Sequence, residues 1–281
     1  MKEFKDRVAV VTGAANGIGR AIAMECGREG MKVVLAGINK SNLLEVEKEL
    51  RASGATAISV QADVSKREDM QALAQRTLEE FGAVHLLVNN AGVGAGSSPW
   101  QSTWQDWEWV LNVNLWGVIN GVKIFTPIML KQNAEGYIIN NASIAGLITF
   151  HPSTPYMVSK HAVVALSENL YHWLKRYDSP VRVAVVCPGS VESRIMDSAR
   201  NRPVDSLGEA PEMDMVERRA MRELVKYLRI KMPAGQVAEM VFQAMRDEKF
   251  YILTHPELKP AIHERMEGLL DESNPHEPRM T

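Results

Sequence analysis

The chain has 281 residues, 46% hydrophobic and 23% charged, an ordinary globular composition with length enough to bury a sizeable core. A net charge of -2 and a pI near 6.4 leave no basic field for gripping a phosphodiester backbone, so nucleic acid is not an expected partner. Cys26, Cys187 and the seven scattered histidines show no metal-ligand spacing, and no run approaches the ~18 uninterrupted apolar residues of a membrane span. The expectation is two buried thiols, no metal, no membrane and, since residues 1–6 lack an apolar leader, a cytoplasmic protein.

In chain order, an apolar run at 8–12 predicts a strand, then a glycine-rich turn and a helix over 18–27. The alternation continues with a strand at 32–36, a helix at 41–53, a strand at 57–60, a helix at 66–81 and a strand at 85–89. The second half predicts helix 110–130, strand 137–140, helix 156–177, strand 181–187, helix 235–246 and strand 250–253. Short apolar strands, each followed by a helix, imply a doubly wound parallel sheet covered on both faces, a three-layer α/β/α domain spanning 1–281. Residues 188–232 break the rhythm with prolines, charges and five methionines, and read as an inserted helical lid at about 190–232. The tail from about 272 to 281 is expected to fray.

Between the first strand and helix stands Thr12-Gly13-Ala14-Ala15-Asn16-Gly17-Ile18-Gly19. Glycines here permit a tight strand-to-helix turn and a close backbone approach to a pyrophosphate, which the helix start would welcome with free N–H groups. Glycines also mark ordinary turns; the strand–turn–helix setting favours the phosphate. The pattern T-G-x-x-x-G-[IL]-G resembles the short-chain dehydrogenase/reductase family, a Rossmann-type fold, and Thr12, Gly13, Gly17, Ile18 and Gly19 match each fixed place.

Further motifs carry the resemblance through about residues 5–255. Asn89-Asn90-Ala91-Gly92 resembles the family's N-N-A-G, and Tyr156-Met157-Val158-Ser159-Lys160 its Y-x-x-x-K. Residues four apart share a helix face, so the Lys160 ammonium can lie near the Tyr156 hydroxyl and draw its pKa down from about 10. Y-x-x-x-K alone would also suit a surface pair. The resemblance implies a tetrad of Asn114, Ser143, Tyr156 and Lys160: Tyr156 moves the proton, Ser143 steadies the reacting oxygen, Lys160 tunes Tyr156 and holds the nicotinamide ribose, and Asn114 supports a water relay. It also implies cofactor contacts from Gly13, Ala15, Asn16, Gly17, Ile18, Gly19, Gly37, Ile38, Asp63, Val64, Asn90, Ala91 and Gly92. Pro188, Gly189, Val191 and Ser193 belong to its P-G-x-[VI]-x-T motif, in which Ser193 stands for threonine.

The implied activity is NAD(P)-dependent interconversion of an alcohol and a carbonyl compound. An acid after the second strand would select NAD and an arginine NADP; Gly37 and Ile38 provide neither, which relaxes specificity, with Lys40 tilting it slightly to NADP or leaving it unaffected as a solvated charge. Asp63 suits either an adenine contact or a helix cap. Val93, Gly94, Leu147, Phe150, His151 and Met196 are candidate substrate neighbours, and the methionine-rich lid suits a bulky or hydrophobic small molecule, unless those methionines only pack. Clustered tryptophans and apolar helices suggest packing or a homodimer or homotetramer. Two other readings remain: a redox-silent NAD(P) sensor or scaffold, and an epimerase or dehydratase of the family's longer branch, which usually carries a larger C-terminal domain.

Overall fold

Successive strand residues face opposite sides of a sheet, and here both sets are apolar. Ala9, Val11, Val33, Leu35, Leu86, Val88, Tyr137, Ile139, Ala184 and Val186 enter one core, whereas Val10, Val34, Leu87, Ile138 and Val183 enter a second. Such strands are stable only with helices over both faces. The computed structural model, which describes residues 1–149, 152–203, 213–229 and 231–276, shows that arrangement.

Seven parallel strands, β1 (Val8–Thr12), β2 (Lys32–Gly37), β3 (Ala57–Gln61), β4 (Leu86–Asn89), β5 (Gly136–Asn141), β6 (Val181–Cys187) and β7 (Tyr251–Leu253), lie in the order β3-β2-β1-β4-β5-β6-β7. Helices α1 (Gly17–Arg28) and α2 (Lys40–Ala52) join the later α8 (Ala234–Arg246) over one face. Helix α3 (Arg67–Phe81), with α5 (Gly117–Gln132) and α6 (Thr154–Arg176), covers the other. Between α3 and α5 lies α4 (Trp104–Leu111); α7 (Met215–Tyr227) falls in the expected lid and α9 (Lys259–Leu270) follows β7. The chain winds outward in opposite senses from β1 and β4, which pair through Val10 and Leu87, and this reversal opens a crevice at their carboxyl ends.

Two helical features depart from the expectation. The helix expected at 110–130 starts at Trp104, where Thr103 and Asp106 form a reciprocal capping box, and it widens into a π-turn at Asn112–Trp116. By length and composition Trp104–Gln132 could cross a membrane, yet it buries Asn114 and Asn120 and sends Phe125 and Met129 into the second core. Helix α9 was not expected; it lays Ala261 and Ile262 against Ile144 and Ile148.

The stretch 190–232 leaves and rejoins the domain at one point. Met232 N–H donates to the Ser190 carbonyl (2.9 Å) and Glu192 N–H to the Met232 carbonyl (3.0 Å). Within it lie a short 3-10 helix, Ile195–Asn201, and α7. This geometry suits a lid on a fixed base.

Candidate active site

The turn after β1 needs its glycines for identifiable reasons. Gly13 and Gly17 have φ of +64° and +56°, where a side chain is strained. A Cβ on Gly19 would lie 2.3 Å from Asn90 Nδ2 and 2.4 Å from the Gly13 carbonyl, so this glycine serves close packing of α1 on the turn. Thr12 Oγ1 accepts the N–H groups of Asn90 (2.9 Å) and Ala91 (3.1 Å) and donates to the Val88 carbonyl (3.1 Å), which clamps the ends of β1 and β4. Asn16, at the cap of α1, makes no side-chain cap bond, so the first-turn N–H groups are available to an anion. The cradle fits a cofactor pyrophosphate.

A second set of side chains converges at the ends of β4 and β5. Lys160 Nζ donates to the Asn141 carbonyl (2.8 Å) and sits 5.5 Å from the centre of the Tyr156 ring. Asn141 Nδ2 reaches Asn90 Oδ1 (3.0 Å), tying the lysine's anchor back to the glycine turn. Asn114, fully buried on the π-turn, accepts Val93 N–H (2.8 Å) and donates to the Val93 carbonyl (2.9 Å) and Ser159 Oγ (3.1 Å). Ser143 lies within hydrogen-bond reach of the Tyr156 hydroxyl. Ser143, Tyr156 and Lys160 thus converge on one place, and Asn114 braces the helix that carries two of them through Ser159.

The electrostatics differ from the expectation in one respect. Burial pushes the Tyr156 phenol up, and the Ser143 hydrogen bond opposes that shift only in part. Burial also lowers Lys160 to about 8, with the Cys187 thiol sulfur working slightly the other way. In the chain alone, the shift therefore runs opposite to the downward one expected from the Lys160 ammonium. Tyr156 is thus held as an acid.

One cleft of about 610 Å³ runs from Gly13, Ala15, Asn16, Gly17 and Ile18 past Gly37, Ile38, Asp63 and Val64 to Asn90, Ala91 and Gly92. It continues along Ser143, Tyr156 and Lys160, then Pro188, Gly189, Val191 and Ser193, and ends beneath the lid. A dinucleotide-sized groove lies open to a reactive phenol.

The model of the short-chain dehydrogenase family matches residues 7–203. The chain belongs to that family. It is 33% identical over 277 residues to the CLA biosynthesis dehydrogenase/reductase of Lactiplantibacillus plantarum, covering 98% of this chain and 97% of the other. It is 30% identical to the C alpha-dehydrogenase of Sphingobium sp., covering 99% and 90%. A short-chain dehydrogenase/reductase from Burkholderia phymatum, crystallised with NAD, superposes with a TM-score of 0.95 at 43% identity over the full length of both chains. This dehydrogenase is an NAD(P)-dependent oxidoreductase that interconverts a secondary alcohol and its carbonyl compound, and the redox-silent reading falls away.

Most expected site residues of this dehydrogenase line the cleft, with instructive exceptions. Gly19 and Asn114 stand behind its wall, one a packing position and the other a buried brace. Leu147, expected beside the substrate, turns into the core with Val118 and Val163; Val93, Gly94 and Met196 do border the cleft. Phe150 and His151 lie outside the described residues. Asp63 serves two purposes: its carboxylate accepts Ser65 N–H (3.0 Å) and Ser65 Oγ–H (2.7 Å) while the residue lines the adenosine end. Sequence reasoning missed Asn141, whose carbonyl holds Lys160, and the lid residues Ile195, Leu224, Tyr227 and Leu228. The inward spacing of Met221, Leu224 and Leu228 on a helix was the signal for the last group.

Proposed function

We propose that Tyr156 is the proton donor in carbonyl reduction and the acceptor in alcohol oxidation, with Ser143, Lys160 and Asn114 in support. The observation that carries this reading is the convergence of a half-buried phenol, a hydroxyl and an ammonium on the cleft that begins at the glycine turn. Residues 13–18 would hold a cofactor pyrophosphate, Gly37, Ile38, Asp63 and Val64 its adenosine, and residues 90–92, Lys160, Pro188, Gly189, Val191 and Ser193 its nicotinamide end. When bound, that cofactor supplies or accepts the hydride at the substrate carbon. The proton remains for the protein to move. Burial shifts the phenol upward, the direction that favours its protonated form, and Tyr156 would give its proton to the carbonyl oxygen while the Ser143 hydroxyl donates a hydrogen bond to the same atom. Lys160, fixed by the Asn141 carbonyl, stands ready to pass charge and proton to the phenol, and Asn114 fixes the loop and helix on either side.

Tyr156→Phe tests the assignment. Turnover should fall by about a thousandfold, within the usual range for a lost general acid, while NADH affinity measured by fluorescence stays within about twofold; near-normal turnover would refute the role.

Both nicotinamide cofactors fit this reading. The slight tilt towards NADP comes from the absence of an acid at Gly37 and Ile38 and from Lys40; Lys40 is exposed and does not line the cleft, and the Burkholderia relative was crystallised with NAD. We therefore favour NAD(H) without exclusion of NADP(H). The substrate is bulky and largely apolar, since Ile195, Met196, Met221, Leu224 and Leu228 line the lid half. Exposed Trp116, Trp173 and Tyr177 on the outer helices support a homodimer or homotetramer, testable by light scattering. Two buried free thiols support a cytoplasmic setting.

A further inference from the structure

Ionisable groups are unevenly distributed along the cleft. At the adenosine end a carboxylate, Asp63, lines the wall, and near the middle stand Tyr156 and Lys160. In the lid half, among the described residues, the lining groups that titrate are Arg194, Arg200 and the phenol of Tyr227, and the nearby Asp197 carboxylate does not itself line the cleft. The two arginines are not equivalent. Asp197 pairs with Arg194 at 2.6 Å but lies 3.5 Å from Arg200, and the Arg194 side chain is 54% exposed against 24% for Arg200. The less exposed cation is thus the less compensated one.

Arg200 is also held in place. Its Nη1 donates to the Arg194 carbonyl (2.8 Å) and to that of Asp197, and among the described residues neither Nε nor Nη2 has a hydrogen-bond partner. The 3-10 helix that carries it is pinned to the catalytic side by the bond from Gly94 N–H to Ser198 Oγ (3.0 Å). Burial, and then the neighbouring Arg194, lower its pKa somewhat, while Asp197 acts in the opposite sense. A guanidinium remains charged under such a shift. An arginine exposed as a residue but with its side chain largely covered, and with donors to spare on a cleft that Met196, Met221 and Leu224 also line, is suited to an anion attached to an apolar body.

We infer that the lid half binds an amphipathic carboxylate, its apolar body against Met196, Met221 and Leu224 and its carboxylate on the Arg200 guanidinium. This rests on the reading that the lid half takes an apolar substrate. The same cation chemistry would also serve a cofactor pyrophosphate, and the test separates the two.

Binding to the NADH-loaded enzyme is measured by calorimetry at neutral pH, below the micelle concentration, with dodecanoate, 1-dodecanol and dodecyltrimethylammonium. Dodecanoate should bind about tenfold or more tightly than dodecanol, a margin of roughly one charge-assisted hydrogen bond, and the ammonium should bind most weakly. Arg200→Met should bring dodecanoate down to the affinity of dodecanol; Arg200→Lys should keep part of the preference. Equal binding of acid and alcohol by the native enzyme, or a preference that survives in R200M, would overturn the inference. So would an R200M variant that loses NADH affinity and keeps its dodecanoate preference, because the guanidinium would then serve the cofactor. Dodecanol that binds well without any gain for the acid sinks this inference alone, whereas failure of dodecanol to bind at all sinks the apolar reading beneath it as well.

Discussion

The catalytic wall and the lid face each other across one cleft but are held by different means. On the wall, Asn114 makes three buried hydrogen bonds, Lys160 is anchored on β5, and Thr12 clamps β1 to β4. Across the cleft, α7 is moored mainly at its ends. Glu217 accepts the Ser98 hydroxyl (2.9 Å) and Tyr227 packs near Gly189 and His255, while Arg202, upstream of α7, meets Asp106 (2.6 Å). Proton transfer needs fixed donors to a fraction of an ångström, while recognition of a flexible apolar body tolerates a moving surface. The contrast assigns chemistry to the wall and selectivity to the lid.

If that division is right, substitutions on the wall should cost turnover and those on the lid should cost affinity. Lys160→Met removes both the bond to Asn141 and the buried cation; we expect kcat to fall by about a hundredfold or more, with weaker NADH binding measured by fluorescence titration. Loss of affinity separates it from Tyr156→Phe, which should leave the cofactor in place. Next in size is Gly37→Asp. A Cβ there would lie 3.7 Å from the Leu43 side chain, an ordinary contact, so the acid fits and can pair with a ribose hydroxyl. The kcat/KM ratio of NADH to NADPH should rise by about tenfold or more; an unchanged ratio would show that this position does not meet the ribose. The smallest effect belongs to the lid. Glu217→Ala removes the Ser98 mooring and half of the capping box with Asp214, costing about 1 kcal/mol of helix stability. Substrate KM should rise a few-fold with kcat nearly constant.

The same division marks what could be read without coordinates. The inner strands were legible because a parallel strand buried on both faces is a short apolar run, the partly exposed edge strands β3 and β7 by the same rhythm, and the glycine turn because few contexts place Gly13, Gly17 and Gly19 between a strand and a helix. Tyr156 and Lys160 stood out because they lie four apart on one helix, whereas Ser143, after β5, and Asn114, on the π-turn, were singled out only by the family resemblance. Long-range packing was not legible. Leu147 looked like a substrate neighbour by position, yet its direction depends on Val118 and Val163, which come from other helices. The π-turn at Asn114 leaves no mark in hydrophobic periodicity. Helix α9 presents only a narrow apolar edge, with Ala261 its one buried residue, and the polar moorings of the lid join residues about a hundred or more positions apart.

The central claim, that the half-buried Tyr156 phenol moves the proton, is tested most directly by pH profiles of kcat/KM in both directions. With Tyr156 held as an acid by burial, ketone reduction should be fast at neutral pH and decline as the phenol ionises, while alcohol oxidation climbs with unit slope into the alkaline range. The two curves should turn at a common pH, and the residual activity of Tyr156→Phe should lose both limbs. Profiles that rise and fall together, or limbs that persist without the hydroxyl, would contradict the account.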